Sequence, residues 1–293
     1  MSTKLKVHLS LWLVTLIYAA TFSIAKQVMP MYIKPFGFIL IRVIVATIGL
    51  IVFHRIFIKE KIHDKRDYIK LFVCAIFGVA ANMLLFFKGL SITTPINAAV
   101  LMMYTPIFVV LFAAIWLKEK VTIQKVVGVL LATFGAVLLI GGRNFNFSST
   151  GVWGDIMVAL NAIIYAFFLV YAKSLMQKYH PLTVTLYTFL FGLFIVIPFG
   201  FNEFSEIDFI AFPKIIWVYV LFITVGSTFV TYVLSSYALK HASSSLVGTY
   251  IYLQPVLATL IAIVFGTDLL TLEKLIFICI VFVGVYFASF KKS

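Results

Sequence analysis

The sequence predicts an all-α integral membrane protein, with ten transmembrane helices arranged as two inverted five-helix repeats. Three observations carry that prediction. Apolar residues make up 63% of the chain and charged residues only 11%, where a soluble domain carries about a quarter charged residues. Hydrophobic runs close to the ~20 residues that a helix needs to cross hydrocarbon recur along the whole length. The second half of the chain also repeats the first.

The runs cover residues 7–29, 36–58, 69–90, 95–117, 123–141, 152–174, 182–201, 214–238, 244–266 and 271–290. They are too long for barrel strands, and ten-residue alternating segments are absent. The longest polar interval, 59–70, is too short to fold alone. The first run follows Lys4 and Lys6 and lacks a small-residue cleavage site, so it reads as a retained signal-anchor.

The net charge of +13 is distributed as a topology signal. With the N-terminus inside, one face collects 16 basic residues: Lys4, Lys6, Arg55, Lys59, Lys61, Lys65, Arg66, Lys70, Lys118, Lys120, Lys125, Lys173, Lys178, Lys240, Lys291 and Lys292. The other face has Lys26, Lys34, Lys88, Arg143, Lys214 and Lys274, with Arg42 inside the second run. This positive-inside pattern puts both termini in the cytoplasm, gives the chain the lipid bilayer as its surroundings and argues against nucleic acid as a partner. Cys74 and Cys279 lie within segments 3 and 10 without metal-ligand spacing, and two buried, inert thiols are expected. No metal site and no cofactor is expected.

The repeat shows in two places. "YAATFSIAK" (18–26) aligns with "YAFFLVYAK" (165–173) at an offset of 147. At an offset of 149, Leu90, Thr94, Pro106, Glu119, Thr122, Lys125 and Gly135 meet Leu239, Ser243, Pro255, Asp268, Thr271, Lys274 and Gly284. The halves are drawn at 1–145 and 146–293. Each holds five crossings, an odd number, so the second half is inverted relative to the first. That is the construction of many secondary transporters. A duplicated scaffold without a transport role is the alternative.

The stretches "GLSITTPINAAVLMMYTPIFVVLFAAIWLKEKVT" (89–122) and "ALKHASSSLVGTYIYLQPVLATLIAIVFGTDLLT" (238–271) share a short helix–helix connection, a mid-helix proline, a terminal acidic residue and a threonine. With this pattern the chain resembles the drug/metabolite transporter superfamily, specifically its EamA-type members. Arg42 fits the family's habit of an arginine in the second helix, while Phe189 stands roughly where Arg42 would recur. The resemblance implies a carrier in a bacterial inner membrane, an exporter or exchanger of small organic metabolites such as amino acids. Proton-coupled multidrug transport, nucleoside or nucleobase transport on the same fold, and a membrane enzyme are the alternatives.

Candidate site residues follow from polarity inside apolar helices, where polar groups need partners and so face the bundle interior. Pro106 and Pro255 free the carbonyls of Met102 and Ile251 and mark kinks or gates. Tyr18, Asn82, Asn97, Tyr104, Asn161, Tyr165, Thr231, Tyr250 and Gln254 are the candidates for lining a substrate cavity; each singly is also an ordinary inter-helix contact. Lys26, Arg42 and Lys88 are outer-vestibule cations. They either snorkel to headgroups, pair with Asp155 or Asp268, or attract an anionic substrate. All ten carboxylates lie in loops or near helix ends. Gly128, Gly135 and Gly284 supply smooth faces for close helix packing. The chain carries no His-Glu-x-x-His, P-loop or nucleophile elbow, so catalysis is not expected. A small-molecule substrate and a monomer or homodimer complete the expectation.

Overall fold

A computed structural model describes residues 2–93, 98, 101–139, 151–264 and 271–289, and every described element is helical. In chain order the rods are α1 (Thr3–Val28), α2 (Pro35–Phe57), α3 (Lys65–Ile92), α4 (Tyr104–Trp116) and α5 (Ile123–Leu139). The second half contributes α6 (Val152–Lys178), α7 (Pro181–Ser205) and α8 (Lys214–His241). It ends with α9 (Ser244–Thr249, a tight 3-10 turn at Tyr250–Tyr252, then Leu253–Val264) and α10 (Leu272–Ser289). Among the described residues, seven helices are long and apolar enough to cross a membrane, and three shorter apolar helices accompany them.

Local chemistry explains where these helices begin and bend. α2 and α7 both start on a proline, whose missing N–H is no loss at a first-turn position. Ser243 caps α9 by accepting from the Leu246 amide at 3.1 Å. The expected mid-helix kinks at Pro106 and Pro255 are interruptions instead. Regular helix resumes at Tyr104 and at Leu253, two residues before each proline, which therefore sits in the first turn of the second piece. Proline cannot donate to the ladder and clashes with the carbonyl four residues back, so the break precedes it. α3 and α8 each widen into a π-helical stretch, Ile76–Ala80 and Phe222–Val230.

Packing between the halves is reciprocal. α2 lies along α7, and α5 along α10. α1 packs on α8 and α9, while α6 packs on α3 and α4. The α5–α10 contact has no room for side chains at two points. A methyl on Gly128 would meet the Ala288 nitrogen at 2.3 Å, and one on Gly284 the Ala132 nitrogen at 2.4 Å. Cys74 is buried as expected, but Cys279 is exposed on the surface of α10. Burial follows the helix face, and position along an apolar run does not report it.

Carboxylates satisfy the free amides at helix starts in the opposite half. Glu203, ending α7, accepts from the amides of Phe36 and Gly37 at 2.6 and 3.0 Å. Glu60, just past α2, accepts from the His180 amide at 2.8 Å. Glu119 accepts from the Ser244 amide and the Ser245 hydroxyl at 3.2 and 2.7 Å. Near the N-terminal end, the fully buried Asp67 carboxylate receives Lys70, Lys178 and the Tyr179 hydroxyl at 2.9, 2.5 and 2.8 Å. Beside it the Arg66 amide, with help from the Lys178 ammonium, holds the Asp64 carboxyl below its ordinary range.

Candidate functional site

The apolar core falls into two clusters. Along α1 it passes from Val7 and Leu11 to Phe22, Ala25 and Val28; along α6 it passes from Val158 and Ala162 to Ala166 and Leu169. Tyr18 and Tyr165 stand at the changeover. Here the helices line a partly open cavity of about 80 Å³, room for roughly five to eight water-sized groups.

Both halves of the chain build its wall. From the first half, α1 contributes Tyr18, Thr21 and Phe22 at helical spacing, and α2 contributes Arg42. α3 adds Asn82, Met83, Phe86 and Phe87, and Met102 enters just before α4. From the second half come Asn161 and Tyr165 of α6, Ser227 and Tyr232 of α8, and Gln254 of α9. The rings interlock edge to face, Phe22 with Phe86 at 5.7 Å and Phe86 with Phe87 at 5.1 Å, a favoured aromatic geometry.

Much of the polar lining is held in place. The Asn161 amide nitrogen donates to the Asn82 carbonyl at 2.7 Å, and the Tyr232 hydroxyl to the Gly78 carbonyl in the π-helical stretch of α3 at 2.6 Å. The Tyr18 hydroxyl lies beside those of Thr231 and Tyr165. Arg42 is 3% exposed. Its Nε donates to Thr228 Oγ1 at 2.9 Å, and its guanidinium carbon lies 4.0 Å from the centre of the Phe87 ring. Three buried polar atoms of the lining have no protein partner: Arg42 Nη1, Asn161 Oδ1 and Ser227 Oγ.

The structure brings together Tyr18, Asn82, Asn161, Tyr165 and Gln254 of the sequence-derived candidates. Thr231 lies just behind this wall, against Tyr18, donating to the Ser227 carbonyl at 2.8 Å. Tyr250 is one turn nearer the N-terminal end than Gln254. There its hydroxyl pairs with His8 Nδ1 at 2.6 Å and Trp12 meets its ring edge-on at 6.4 Å, so it belongs to the packing below the cavity. Tyr104 is 46% exposed and does not line the cavity. The interruption before Pro106 starts a new helical piece at Tyr104, so the face it presents does not continue that of the residues before it. Asn97 lies outside the described residues.

The three cations separate. Lys26 donates to the Ser91 carbonyl at 3.3 Å, at the end of α3, where a positive charge meets the negative end of a helix dipole. Lys173, its counterpart in the repeat, does the same for α8 through the carbonyls of Leu239 (3.1 Å) and Ala242. The Lys88 ammonium lies 5.7 Å from the Phe36 ring, away from the cavity. Arg42 alone of the three faces the cavity, and instead of snorkelling it is clamped in the interior. Of the suggested partners, Asp155 receives the Thr93 hydroxyl, and Asp268 lies outside the described residues.

Sequence reasoning missed Tyr232 and undervalued Ser227. A regular α-helix puts Ser227 and Thr231 on one stripe. The π-helical stretch Phe222–Val230 takes up an extra residue per turn, so Ser227 shares the cavity with Tyr232, five residues on. A polar pair spaced by five in an apolar helix is the signal that would have found them.

A helical membrane protein with a largely apolar cavity, set with a few polar groups and walled jointly by two halves of the chain, has the architecture of a membrane transporter. The EamA-like transporter family profile matches twice, over residues 5–141 and 152–290. The chain belongs to the EamA-like transporter family. Similar proteins include an uncharacterized transporter of Archaeoglobus fulgidus, 28% identical over 88% of each chain. The uncharacterized transporter YyaM of Bacillus subtilis is 25% identical over 96% of this chain and 94% of its own. A solved crystal structure superposes with a TM-score of 0.77 over 97% of this chain and 96% of its own, at 19% identity, a likeness of fold.

Proposed function

We propose that the chain is a secondary carrier that moves small organic metabolites, amino acids among them, across a bacterial inner membrane by alternating access. The observation that carries this reading is the cavity itself, small and lined from both halves. Ten crossings in two inverted five-helix halves would give the protein two related conformations of similar energy, one open to each side. The reciprocal packing of α1 on α8 and α9 and of α6 on α3 and α4 supports that relation. So do the π-helical stretches in α3 and α8 and the interruptions before Pro106 and Pro255, which recur at matching places.

The basic residues near the N-terminal end favour the orientation with both termini in the cytoplasm. The protein works in the lipid bilayer as a monomer or homodimer, acting on a dissolved small molecule and not on nucleic acid. A buried guanidinium in the wall disfavours cationic drugs as cargo. Among the described residues no carboxylate lines the cavity, which favours a facilitator or exchanger over an antiporter coupled through Asp or Glu; export as the direction follows from family analogy.

Counterflow in proteoliposomes tests the proposal. Vesicles preloaded with unlabelled amino acids and related metabolites should take up the labelled compound faster than empty vesicles, and the stimulation should saturate. Uptake that never depends on the internal solute, across a panel of amino acids, nucleosides and small organic acids, would sink it.

A further inference from the structure

Arg42 raises a question that the carrier fold does not answer. Its side chain is almost wholly buried, and a guanidinium stays charged at any physiological pH. A buried charge without a counter-charge is strongly disfavoured. Yet among the described residues Arg42 has no ion pair: Glu60, Glu119 and Glu203 cap amides, Asp67 and Glu206 hold lysines, and Asp155 receives the Thr93 hydroxyl. Thr228 and the Phe87 face fix two sides of the guanidinium without neutralising it. Nη1 remains without a protein partner, on a side chain that lines the cavity. Ser227, next to the anchoring Thr228, also lines the cavity, and its hydroxyl has no protein partner.

We propose that Arg42 Nη1, with the Ser227 hydroxyl, forms a binding subsite for the carboxylate of a small monocarboxylate substrate. Arginine's planar fork matches a carboxylate, and a hydroxyl supplies a further donor. The third free atom, Asn161 Oδ1, is an acceptor in the same cavity. It asks for a hydrogen-bond donor elsewhere on the ligand, an amino or hydroxyl group. The aromatic rings and Met83 in the wall accept a short apolar remainder. The subsite supplies one counter-charge, so a dicarboxylate leaves its second charge unanswered and is excluded. Selection of the substrate as cargo rests on the carrier reading; binding at Arg42 does not.

Three near-isosteric probes test the subsite on the purified full-length protein in detergent: isobutyramide, isobutyrate and alanine. Binding is followed calorimetrically and by ligand-induced rise of the unfolding temperature. Isobutyrate is expected to bind roughly ten- to hundredfold more tightly than isobutyramide, the usual range for a hydrogen bond to a charged group, and alanine at least as tightly as isobutyrate. Arg42→Gln should erase the difference between acid and amide, while Arg42→Lys retains part of it. Equal binding of amide and acid by the unaltered protein overturns the subsite, whatever the variants do. So does an acid preference that survives Arg42→Gln, equal stabilisation by chloride or inorganic phosphate, or no binding of any probe. Counterflow with the unaltered protein then separates the two readings. Exchange without carboxylate preference leaves a carrier with a different subsite, and carboxylate binding without exchange leaves the subsite in a protein that is not a carrier.

Discussion

The two halves of this chain share a scaffold and differ at one place that matters. α2 and α7 both begin on a proline, lie against one another, and end near a glutamate that caps the start of the other. Inside that symmetric frame α2 carries Arg42, while α7 carries Phe189 at the corresponding place. Arg42 faces the cavity with a free donor. Phe189 is fully buried, its ring 4.7 Å from Tyr232 and perpendicular to it, holding from behind a residue that lines the cavity. Duplication explains how two similar halves close around one site. Chemical selectivity requires that the copies diverge where they meet: one supplies a charge to the cavity, and the other supports its wall from behind. Substitutions in the frame should therefore cost the halves equally, and substitutions at the centre should not.

The largest effects belong to the frame. Gly128→Val and Gly284→Val each force a side chain into backbone less than 3 Å away, which should destabilise by more than about 3 kcal/mol. Both variants are expected to lose the monodisperse peak in detergent size-exclusion chromatography; a well-behaved variant of either would mean that α5 and α10 are not locked together. Next comes Phe189→Ala, which leaves a core cavity behind Tyr232 and should cost about 3–5 kcal/mol in thermal unfolding. A loss below about 1 kcal/mol would show that Phe189 supports nothing. Smaller and paired are Glu60→Gln and Glu203→Gln, each removing the charge from a reciprocal cap, at about 0.5–1 kcal/mol apiece. Equal losses sharpen the symmetry of the frame, and a difference above about 1 kcal/mol would break it.

Physical signals of different range explain what the sequence revealed. Helix type and number of apolar runs are written in composition, since hydrocarbon demands length and apolarity from each segment separately. The duplication was legible because Pro106 and Pro255, and Lys26 and Lys173, are rare residue types at fixed offsets. Their roles were less legible. Lys26 looked like a vestibule charge, but a lysine near the end of one helix can as easily complete the carbonyls of a neighbour, and nothing local distinguishes the two. Tyr232 escaped because a regular helical period turns it away from Ser227, and a π-helical stretch has no strong sequence mark. Arg42 was legible as an anomaly, a charge in an apolar helix, though not its direction: Thr228 and Phe87, which clamp it, come from other helices.

The smallest effect distinguishes the pieces that follow the two interruptions. Tyr104 and Gln254 both lie within two residues of a proline, at the starts of matching helical pieces. Gln254 is 8% exposed and lines the cavity, whereas Tyr104 is 46% exposed on the bundle surface. Gln254→Leu removes an amide from the cavity wall and should slow counterflow roughly fivefold or more, the consequence of losing about one hydrogen bond to the cargo. Tyr104→Phe removes only a surface hydroxyl and should leave counterflow within roughly twofold of the unaltered protein, with an unchanged unfolding temperature. Comparable slowing in both variants would mean that Tyr104 enters the cavity in another conformation of the cycle. The asymmetry at the centre would then belong to one conformation and not to the protein.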